Sequence, residues 1–424
     1  SLGTAGLSRR LVPIPIPRAL ARLNRDVRLF MVSAVATGVC YTGLYFLLIS
    51  LYLLRMGYGV EFIGVFISTG AFSFALFSLP AGAAGRRWGS RRPMIFGVCV
   101  LSFGLAMLAL SALLPAAWQP IWLLSFCALR EWGNAFYLVN ANPYLMSVTQ
   151  SEERAHVFST RATLTPLAGF AGALLGGWLP ALSATLFALD ERDPLCYVAP
   201  MLLASLLLLP GLGCLVLAGE GGEETTQRAS QERGARPLNA MLAVGLVSLL
   251  FIVAVSAGQS FYSVYMDSVL DSSTETIGLV TSLGQLATAV LMLGAPAVLT
   301  RWGHARSFVG AAIFLSLSIV PIALIAHWLA AGLSVIGIAF LMAFGSTALT
   351  LFHQELVLPG WRAAMSGASM MTMGFGWGLV ASGGGFFISA WGWTAFFLTA
   401  ALLTTCAAAA FWLYFVRNGN VRMP

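Results

Sequence analysis

The sequence contains no lysine, so all 23 of its basic residues are arginines. A nucleotide-binding loop of the Gly-x4-Gly-Lys-Ser/Thr kind needs its lysine to reach the phosphates. The longest polar segment, 220–237, is also far too short for a soluble catalytic domain. We therefore expect neither an ATP-driven pump nor an enzyme.

Charge is scarce. Only 9% of the residues are charged and 58% are hydrophobic, whereas a soluble domain carries about 25% charged residues. Mean hydropathy is +0.85, and the charges stand in short clusters between long apolar runs. The sequence therefore predicts an all-α polytopic membrane protein embedded in a lipid bilayer. The net charge of +7 fits arginines kept at one membrane face, and without a basic patch interleaved with aromatics we expect no nucleic-acid partner.

Cysteine and histidine are few and scattered, with six and four copies respectively. The cysteines show neither metal-type nor disulfide-type spacing and are interpreted as small packing residues. In His353-Gln354-Glu355, one imidazole and one carboxylate do not make a metal cage, and an interface cluster is the favoured interpretation. We expect no cofactor and no metal site.

Charge clusters and Gly/Pro breaks divide the chain into about twelve apolar runs, each long enough to cross a bilayer. These runs are 29–54, 61–85, 94–114, 121–149, 162–189, 194–218, 239–266, 276–300, 307–329, 331–354, 363–390 and 393–416. The first 28 residues carry six arginines and no apolar core, so the first run is a retained helix rather than a signal peptide. The predicted organisation is an N-terminal segment 1–28, a six-helix bundle 29–218, a linker 219–238, a second bundle 239–416 and a tail 417–424.

Arginines are distributed unequally between the two sides of the twelve predicted spans. Twenty lie on the side of the chain termini, and two, Arg55 and Arg192, lie on the other side. Cytoplasmic loops carry the excess of basic residues. We therefore expect both termini, and the linker, to be cytoplasmic in a multi-pass protein of the cell (inner) membrane.

Two short patterns recur in the second half of the chain. Arg87-Trp88-Gly89 is repeated as Arg301-Trp302-Gly303, each after the second run of its half. Arg154-Ala155 followed by Gly176-Gly177 is repeated, 208 residues later, as Arg362-Ala363 followed by Gly384-Gly385. Internal duplication of this kind is how many transporters are built, so two pseudo-symmetric halves are expected.

With these features the chain resembles the major facilitator superfamily over essentially its whole length. The family signature after the second span, roughly Gly-x3-Asp-Arg-x-Gly-Arg-Arg, is matched at Gly82, Arg87, Gly89 and Arg91, whereas Arg86 stands in the place of the aspartate. The resemblance implies an inner gate at this loop. Without the aspartate, we expect Arg86, Arg87 or Arg91 to hold the gate against helix C-terminal carbonyls or against Glu152, Glu153 or Glu355.

A weaker resemblance lies in the fifth run. Gly172-Ala-Leu-Leu-Gly176-Gly177 is similar to the Gly-Pro-x-x-Gly-Gly pattern of antiporters in the family, but it lacks the proline. Close helix packing also explains these glycines and is the favoured interpretation.

The fourth run contains Arg130 and Glu131, about nine residues or 14 Å from its start and therefore near the membrane midplane. Buried charges there need partners or a wet cavity. In the functional hypothesis Glu131 binds and releases a proton, and Arg130 is its electrostatic partner or binds an anionic group; in the structural alternative both hold spans together. Candidate substrate-binding residues, for each of which helix packing is an alternative, are Tyr41, Tyr45, Asn134, Tyr137, Gln259, Tyr262, Gln285 and Trp377.

The resulting hypothesis is a secondary active transporter that moves a small apolar or amphipathic molecule, such as a drug-like compound or a lipid, by alternating access. Export of an apolar or amphipathic compound is favoured, because the cavity-side runs are rich in aromatic residues and methionine and have few hydrogen-bonding groups. Coupling to protons through Glu131 and a monomeric state are also expected. The alternatives are an uncoupled facilitator, an importer of a small organic anion that uses Arg130, and a non-transporting receptor or scaffold.

The linker 220–237 provides a test of orientation. In intact cells an added protease should leave it uncut, because the arginine distribution places it in the cytoplasm, whereas inverted vesicles should expose it. The measurement is the appearance of half-length fragments on a gel. Cleavage from outside intact cells would reverse the predicted topology.

Overall fold

The computed structural model describes residues 24–150, 153–190, 192–220, 238–356 and 362–417, and within these ranges the regular elements are all helical. In chain order the helices are α1 (Arg25–Arg55), α2 (Val60–Trp88), α3 (Arg91–Leu113), α4 (Gln119–Ser147), α5 (Arg154–Phe187), α6 (Leu195–Leu217), α7 (Leu238–Ser268), α8 (Thr274–Trp302), α9 (His304–Leu324) and α10 (Trp328–Leu356). The remaining helical segment is interrupted at Gly392, which divides it into α11 (362–391) and α12 (393–417).

Ten helical segments of the described chain are long and apolar enough to span a membrane. One of them, Ser369–Arg417, is 49 residues long, and Gly392 with φ 81° divides it into two crossings. Helix α4 has 29 residues and adds a polar crossing to the apolar ones. Twelve spans result, and the all-α membrane fold expected from the sequence is confirmed.

The helices form two groups of six, an N-terminal half (α1–α6) and a C-terminal half (α7–α12). In the first half α3 packs against α4 and α6, and α1 packs against α6; in the second half α9 packs against α10 and α12. The halves meet mainly where α2 lies against α11 and where α5 lies against α8. The domain boundaries remain predictions, and segments 1–23, 221–237 and 418–424 lie outside the described residues.

The repeated Arg-Trp-Gly pattern has the same backbone in both halves. Gly89 ends α2 with φ 76° and ψ 151°, and Gly303 ends α8 with φ 75° and ψ 159°. Positive φ favours glycine, because a side chain would meet the backbone. The short recurrence in sequence therefore corresponds to a recurrence in structure.

We call the helix ends on the side of Arg25 and Leu238 the proximal ends, and the opposite ends the distal ends. Glycines let the two halves touch through their backbones toward the distal ends. An ideal Cβ on Gly385 of α11 would lie 2.5 Å from the carbonyl oxygen of Val60 on α2, and one on Gly278 of α8 would lie 2.6 Å from the Cα of Gly177 on α5. The distal ends of the halves are thus in direct contact.

Replacing Gly385 by alanine should force α11 away from α2 and favour distal opening, since the added Cβ would also lie 2.8 Å from Glu61 Cα. Gly383→Ala is the matched control, because a Cβ there meets nothing within 4 Å. Spin labels on the distal ends of α2 and α11 would report the distance between the halves. Equal distances in the two variants would show that this contact does not restrain the distal ends.

Candidate functional site

Helix α4 carries the charges that lie deepest in the molecule. Its Arg130 and Glu131 are only 3% and 8% exposed. They pair with each other, with Arg130 Nη2 2.6 Å from Glu131 Oε1. The functional hypothesis named Arg130 as the electrostatic partner of Glu131 or as a site for an anionic group, and the structure has the two side chains in contact. Neighbouring helical side chains diverge by about 100°, and the long arginine side chain bridges the gap.

Glu131 accepts hydrogen bonds from two further side chains. The Tyr41 hydroxyl donates to Oε1 at 2.6 Å, and Asn134 Nδ2 donates to Oε2 at 2.8 Å. Asn134 Nδ2 also lies 3.1 Å from the Tyr41 oxygen. Together with Arg130, these donors surround a charged carboxylate. The four residues Tyr41, Arg130, Glu131 and Asn134 are called the α4 cluster below.

Arg130 also lies against two aromatic rings of α1. Its guanidinium carbon is 5.1 Å from the Tyr41 ring centre and 4.1 Å from that of Tyr45, and the two rings stack with centres 5.9 Å apart. Such contacts offset part of the cost of burying the cation. Within the described part of the chain, Arg130 Nε and Nη1 and the Tyr45 hydroxyl have no hydrogen-bond partner.

Two glycines that the sequence analysis did not single out make room for this pair. An ideal Cβ on Gly104 of α3 would lie 2.8 Å from Arg130 Cβ, and one on Gly70 of α2 would lie 3.1 Å from Glu131 Cγ. A glycine inside a membrane helix signals only close packing, so their positions beside charges could not be recognised from the sequence.

A small cavity of about 40 Å³ lies between the halves. It is lined by Thr42, Phe46, Gly258, Gln259, Tyr262, Thr281, Gln285, Val335, Ile338 and Ala339, from α1, α7, α8 and α10. This volume accepts roughly two or three waters, whereas small-molecule pockets measure about 300–1,000 Å³. A larger ligand therefore needs the halves to separate.

The polar groups of this cavity are all uncharged. Tyr262 and Thr281 share a hydrogen bond of 2.6 Å between their hydroxyl oxygens. Gln259 Nε2 lies 3.2 Å from the Met342 sulfur, a weak acceptor. Gln285 lies near Gly169 of α5, on which an ideal Cβ would be 3.3 Å from Gln285 Cδ. The lining is suited to an uncharged ligand.

The predicted substrate-binding residues fall into three places. Gln259, Tyr262 and Gln285 line the cavity, as expected for that role, whereas Tyr41, Tyr45 and Asn134 surround the Arg130–Glu131 pair. Tyr137 is buried in the N-terminal half, and Trp377 donates to Ser260 Oγ at 3.1 Å inside the C-terminal half. The structure does not bring these last two to the cavity, and substrate binding by any of the eight remains a prediction.

The predicted gating loop contacts its own half. Arg91 donates from Nε to the carbonyl of Leu215 at 3.0 Å and from Nη2 to that of Val216, so it caps the C-terminal end of α6. The Arg87 guanidinium lies 5.7 Å from the Trp88 ring, Arg86 lies beside Gly82, and Gly89 supplies the turn.

The acids expected to face this loop are arranged differently. Glu355 pairs with His304 at 2.8 Å, inside its own half, and Glu152 lies outside the described residues. The expected arginine at helix C-terminal carbonyls is present as Arg91, but it joins α3 to α6 within the N-terminal half. The gating role of Gly82, Arg86, Arg87, Gly89 and Arg91 remains a prediction.

At the distal ends, charged side chains join the two halves. Arg55 of α1 binds Asp267 of α7 through two hydrogen bonds of 2.9 and 2.6 Å, and these side chains are only 19% and 11% exposed. Beside them the hydroxyl oxygens of Tyr197 and Thr274 are 3.1 Å apart. A second ion pair, Arg192–Asp271, spans 3.6 Å and is almost fully exposed. Both ion pairs that join described residues of the two halves therefore lie at the distal ends.

Comparison with known proteins agrees with this architecture. The Major Facilitator Superfamily model matches residues 30–381. Among solved structures, the nucleoside transporter NupG (D323A mutant) shares 16% identity at a TM-score of 0.71, covering 92% of this chain and 100% of that one. A bacterial homologue of the human lysosomal transporter Spinster, inward-facing and unoccupied, shares 14% identity at a TM-score of 0.71, covering 94% and 96%. No curated protein sequence matches the chain significantly.

Asp267→Asn should weaken the distal contact, because it leaves the half-buried Arg55 without its counter-charge. A cost of about 1–2 kcal/mol, or roughly a 5- to 30-fold population shift toward distal opening, is expected. Asp271→Asn is the control, since an exposed ion pair contributes little. Accessibility of a cysteine placed at the distal end of α7 measures the shift, and identical labelling rates in both variants would contradict the prediction.

Proposed function

Because the chain belongs to the Major Facilitator Superfamily, we propose that it is a proton-coupled secondary transporter that exports a small uncharged molecule of apolar or amphipathic character. The family makes it a membrane transporter and not an enzyme, and the solved neighbours share its fold. Proton coupling, substrate class and direction are the proposed parts. The observation that carries the coupling is the burial of a single carboxylate in the α4 cluster.

The α4 cluster is suited to holding Glu131 with or without a proton. Charged Glu131 is compensated by Arg130 and by hydrogen bonds from Tyr41 and Asn134. When the carboxylate is neutral, Arg130 still faces the rings of Tyr41 and Tyr45, which offset part of the cost of its uncompensated charge. Alternating access changes the exposure of the cluster to water, and with it the cost of each charge state. This is the physical basis of coupling.

The cavity lining supports an uncharged substrate. Its polar groups are amides and hydroxyls, and Phe46, Val335 and Ile338 supply apolar walls. A charged ligand would lie there without a counter-ion at considerable cost. Nucleosides, which the name of one solved neighbour mentions, combine hydrogen-bonding groups with a flat ring and belong to the class that these walls fit.

The same geometry weighs against an importer of an organic anion. Such an importer would need a free cation in its substrate site, but Arg130 is paired with Glu131 and is 3% exposed. An uncoupled facilitator remains the second candidate, in which the α4 cluster only joins helices. The observation in favour of this second candidate is that both carboxylate oxygens of Glu131 already accept hydrogen bonds, as expected for a structural contact.

The direction of transport is proposed as export because of the apolar or amphipathic substrate class, and the conformation indicates only which side is closed. The distal ends are joined by Arg55–Asp267, and no ion pair joins described residues of the halves at the proximal ends. If the termini are cytoplasmic, as twenty arginines indicate, the joined distal ends lie on the outer face of the membrane. We propose a monomer in the cell membrane, since each half finds its partner within the chain.

Glu131→Gln should retain exchange of substrate but lose its acceleration by a pH gradient, because glutamine keeps the shape and cannot titrate. The assay is transport by proteoliposomes, with and without the gradient, of a nucleoside, a lysolipid, a lipophilic cation and an organic anion. Asp271→Asn, in the exposed pair with Arg192, is the control and should respond as the native chain does.

Two results would contradict this proposal. If the Glu131→Gln protein responds fully to the gradient, Glu131 is structural, and the transporter is uncoupled or coupled through Asp267 or another ion. If the organic anion is the only probe transported, the proposed substrate class is wrong.

A further inference from the structure

Helix α1 contains a π-helical segment, Gly38–Tyr45, between two α-helical parts. At its end the backbone N–H of Phe46 donates to the carbonyl of Tyr41, five residues back. Each such turn holds an extra residue, so the segment is wider and less favourable than an α-helical turn. Local changes of hydrogen bonding can therefore rearrange it at low cost.

The π segment faces both the α4 cluster and the cavity. Tyr41 and Tyr45 contact Arg130, and Tyr41 donates to Glu131. The residues that follow each tyrosine, Thr42 and Phe46, line the cavity. One layer of helix backbone therefore separates the proposed proton site from the proposed substrate site.

Helix α5 supports this segment through backbone contacts. An ideal Cβ on Gly43 would lie 2.5 Å from the Cα of Gly172, and one on Gly38 would lie 3.0 Å from the carbonyl oxygen of Thr165. On its other side α5 presents Gly169 to Gln285 of the cavity. The π segment thus lies between α4, α5 and the cavity. If it moves away from the cavity, it moves toward α4 and α5.

We propose that Tyr41 is a positioning residue that transmits occupancy of the cavity to the proton on Glu131. A ligand pressing on Thr42 and Phe46 holds the Tyr41 hydroxyl against Glu131 Oε1, and this hydrogen bond favours the carboxylate over the protonated acid. Proton and substrate then oppose each other, and the opposition is reciprocal. This inference rests on the proposed function.

The groups that face Glu131 set its response to pH. Arg130 and Cys127 face it from α4, and Tyr41 and Tyr45 face it from α1. Helix α2 presents Gly70 to Glu131, and helix α3 presents Gly104 to Arg130. Of the two tyrosines, Tyr41 alone binds the carboxylate, since the Tyr45 hydroxyl has no partner among the described residues.

Tyr41→Phe and Tyr45→Phe therefore form a matched pair. Both keep a ring beside Arg130, but only the first removes a donor from Glu131. The readout is the infrared band of the protonated carboxyl group, followed against pH in lipid nanodiscs and identified as the band that Glu131→Gln removes. Tyr41→Phe should shift the midpoint toward alkaline pH by about one unit, and Tyr45→Phe should leave it unchanged.

Occupancy is imitated by filling the cavity, since Ala339 lines its α10 wall. Ala339→Phe, or Ala339→Leu if the larger ring prevents folding, should shift the midpoint toward acidic pH. In the Tyr41→Phe background the same filling should cause no shift. A double-mutant cycle of this kind isolates the link through Tyr41 from any general effect of either change.

The outcomes separate this inference from the proposed function. If Glu131→Gln removes no band, Glu131 does not titrate, and both proposals are wrong. If the band is present but Tyr41→Phe and Tyr45→Phe give the same midpoint, or if filling acts equally with and without Tyr41, proton binding stands and the role of Tyr41 is refuted.

Discussion

The structure depends on the requirement that a charge inside the bilayer must have a partner. Arg130 and Glu131 are partners of each other, and both also contact two tyrosine rings or an asparagine. These contacts join α1 to α4 at the centre of the N-terminal half. The helices around them must leave room, which is why Gly70 and Gly104 face the pair. Several features that look independent in the sequence thus have one physical cause.

The two halves carry different polar chemistry. In the first half, Arg130 and Glu131 are buried as an ion pair inside the α4 cluster. The cavity walls contributed by α7, α8 and α10 carry no charged side chain. Among the described residues, ion pairs join the halves at the distal ends, where Arg55 meets Asp267 and Arg192 meets Asp271. The halves can therefore separate in the membrane interior without exposing an unpaired charge there, and the two ion pairs that must break, Arg55–Asp267 and Arg192–Asp271, both lie at the helix ends.

Sequence alone was sufficient for the spans, because apolar runs separated by charge clusters or by Gly/Pro breaks mark the helices. The ends of the polar α4 followed from the breaks on either side of it. It also identified Arg130 and Glu131, since charges are rare in apolar runs. It could not group Tyr41 and Tyr45 with that pair, or keep Trp377 away from the cavity, because those assignments depend on the rotation of each helix about its axis. The π segment of α1 changes that rotation locally and has no recognised signature in the sequence.

The connection between α11 and α12 consists of one non-helical residue, Gly392. Helix α11 belongs to the interface between the halves, whereas α12 carries Leu402 and Leu413 on an exposed surface that faces the hydrocarbon. Because a single residue connects the two helices, α12 must move together with α11 when the halves rock. Its exposed surface then moves through the surrounding acyl chains. The turnover of this protein should therefore depend on the viscosity and thickness of the surrounding lipid, which makes the bilayer a mechanical load on the cycle as well as its solvent.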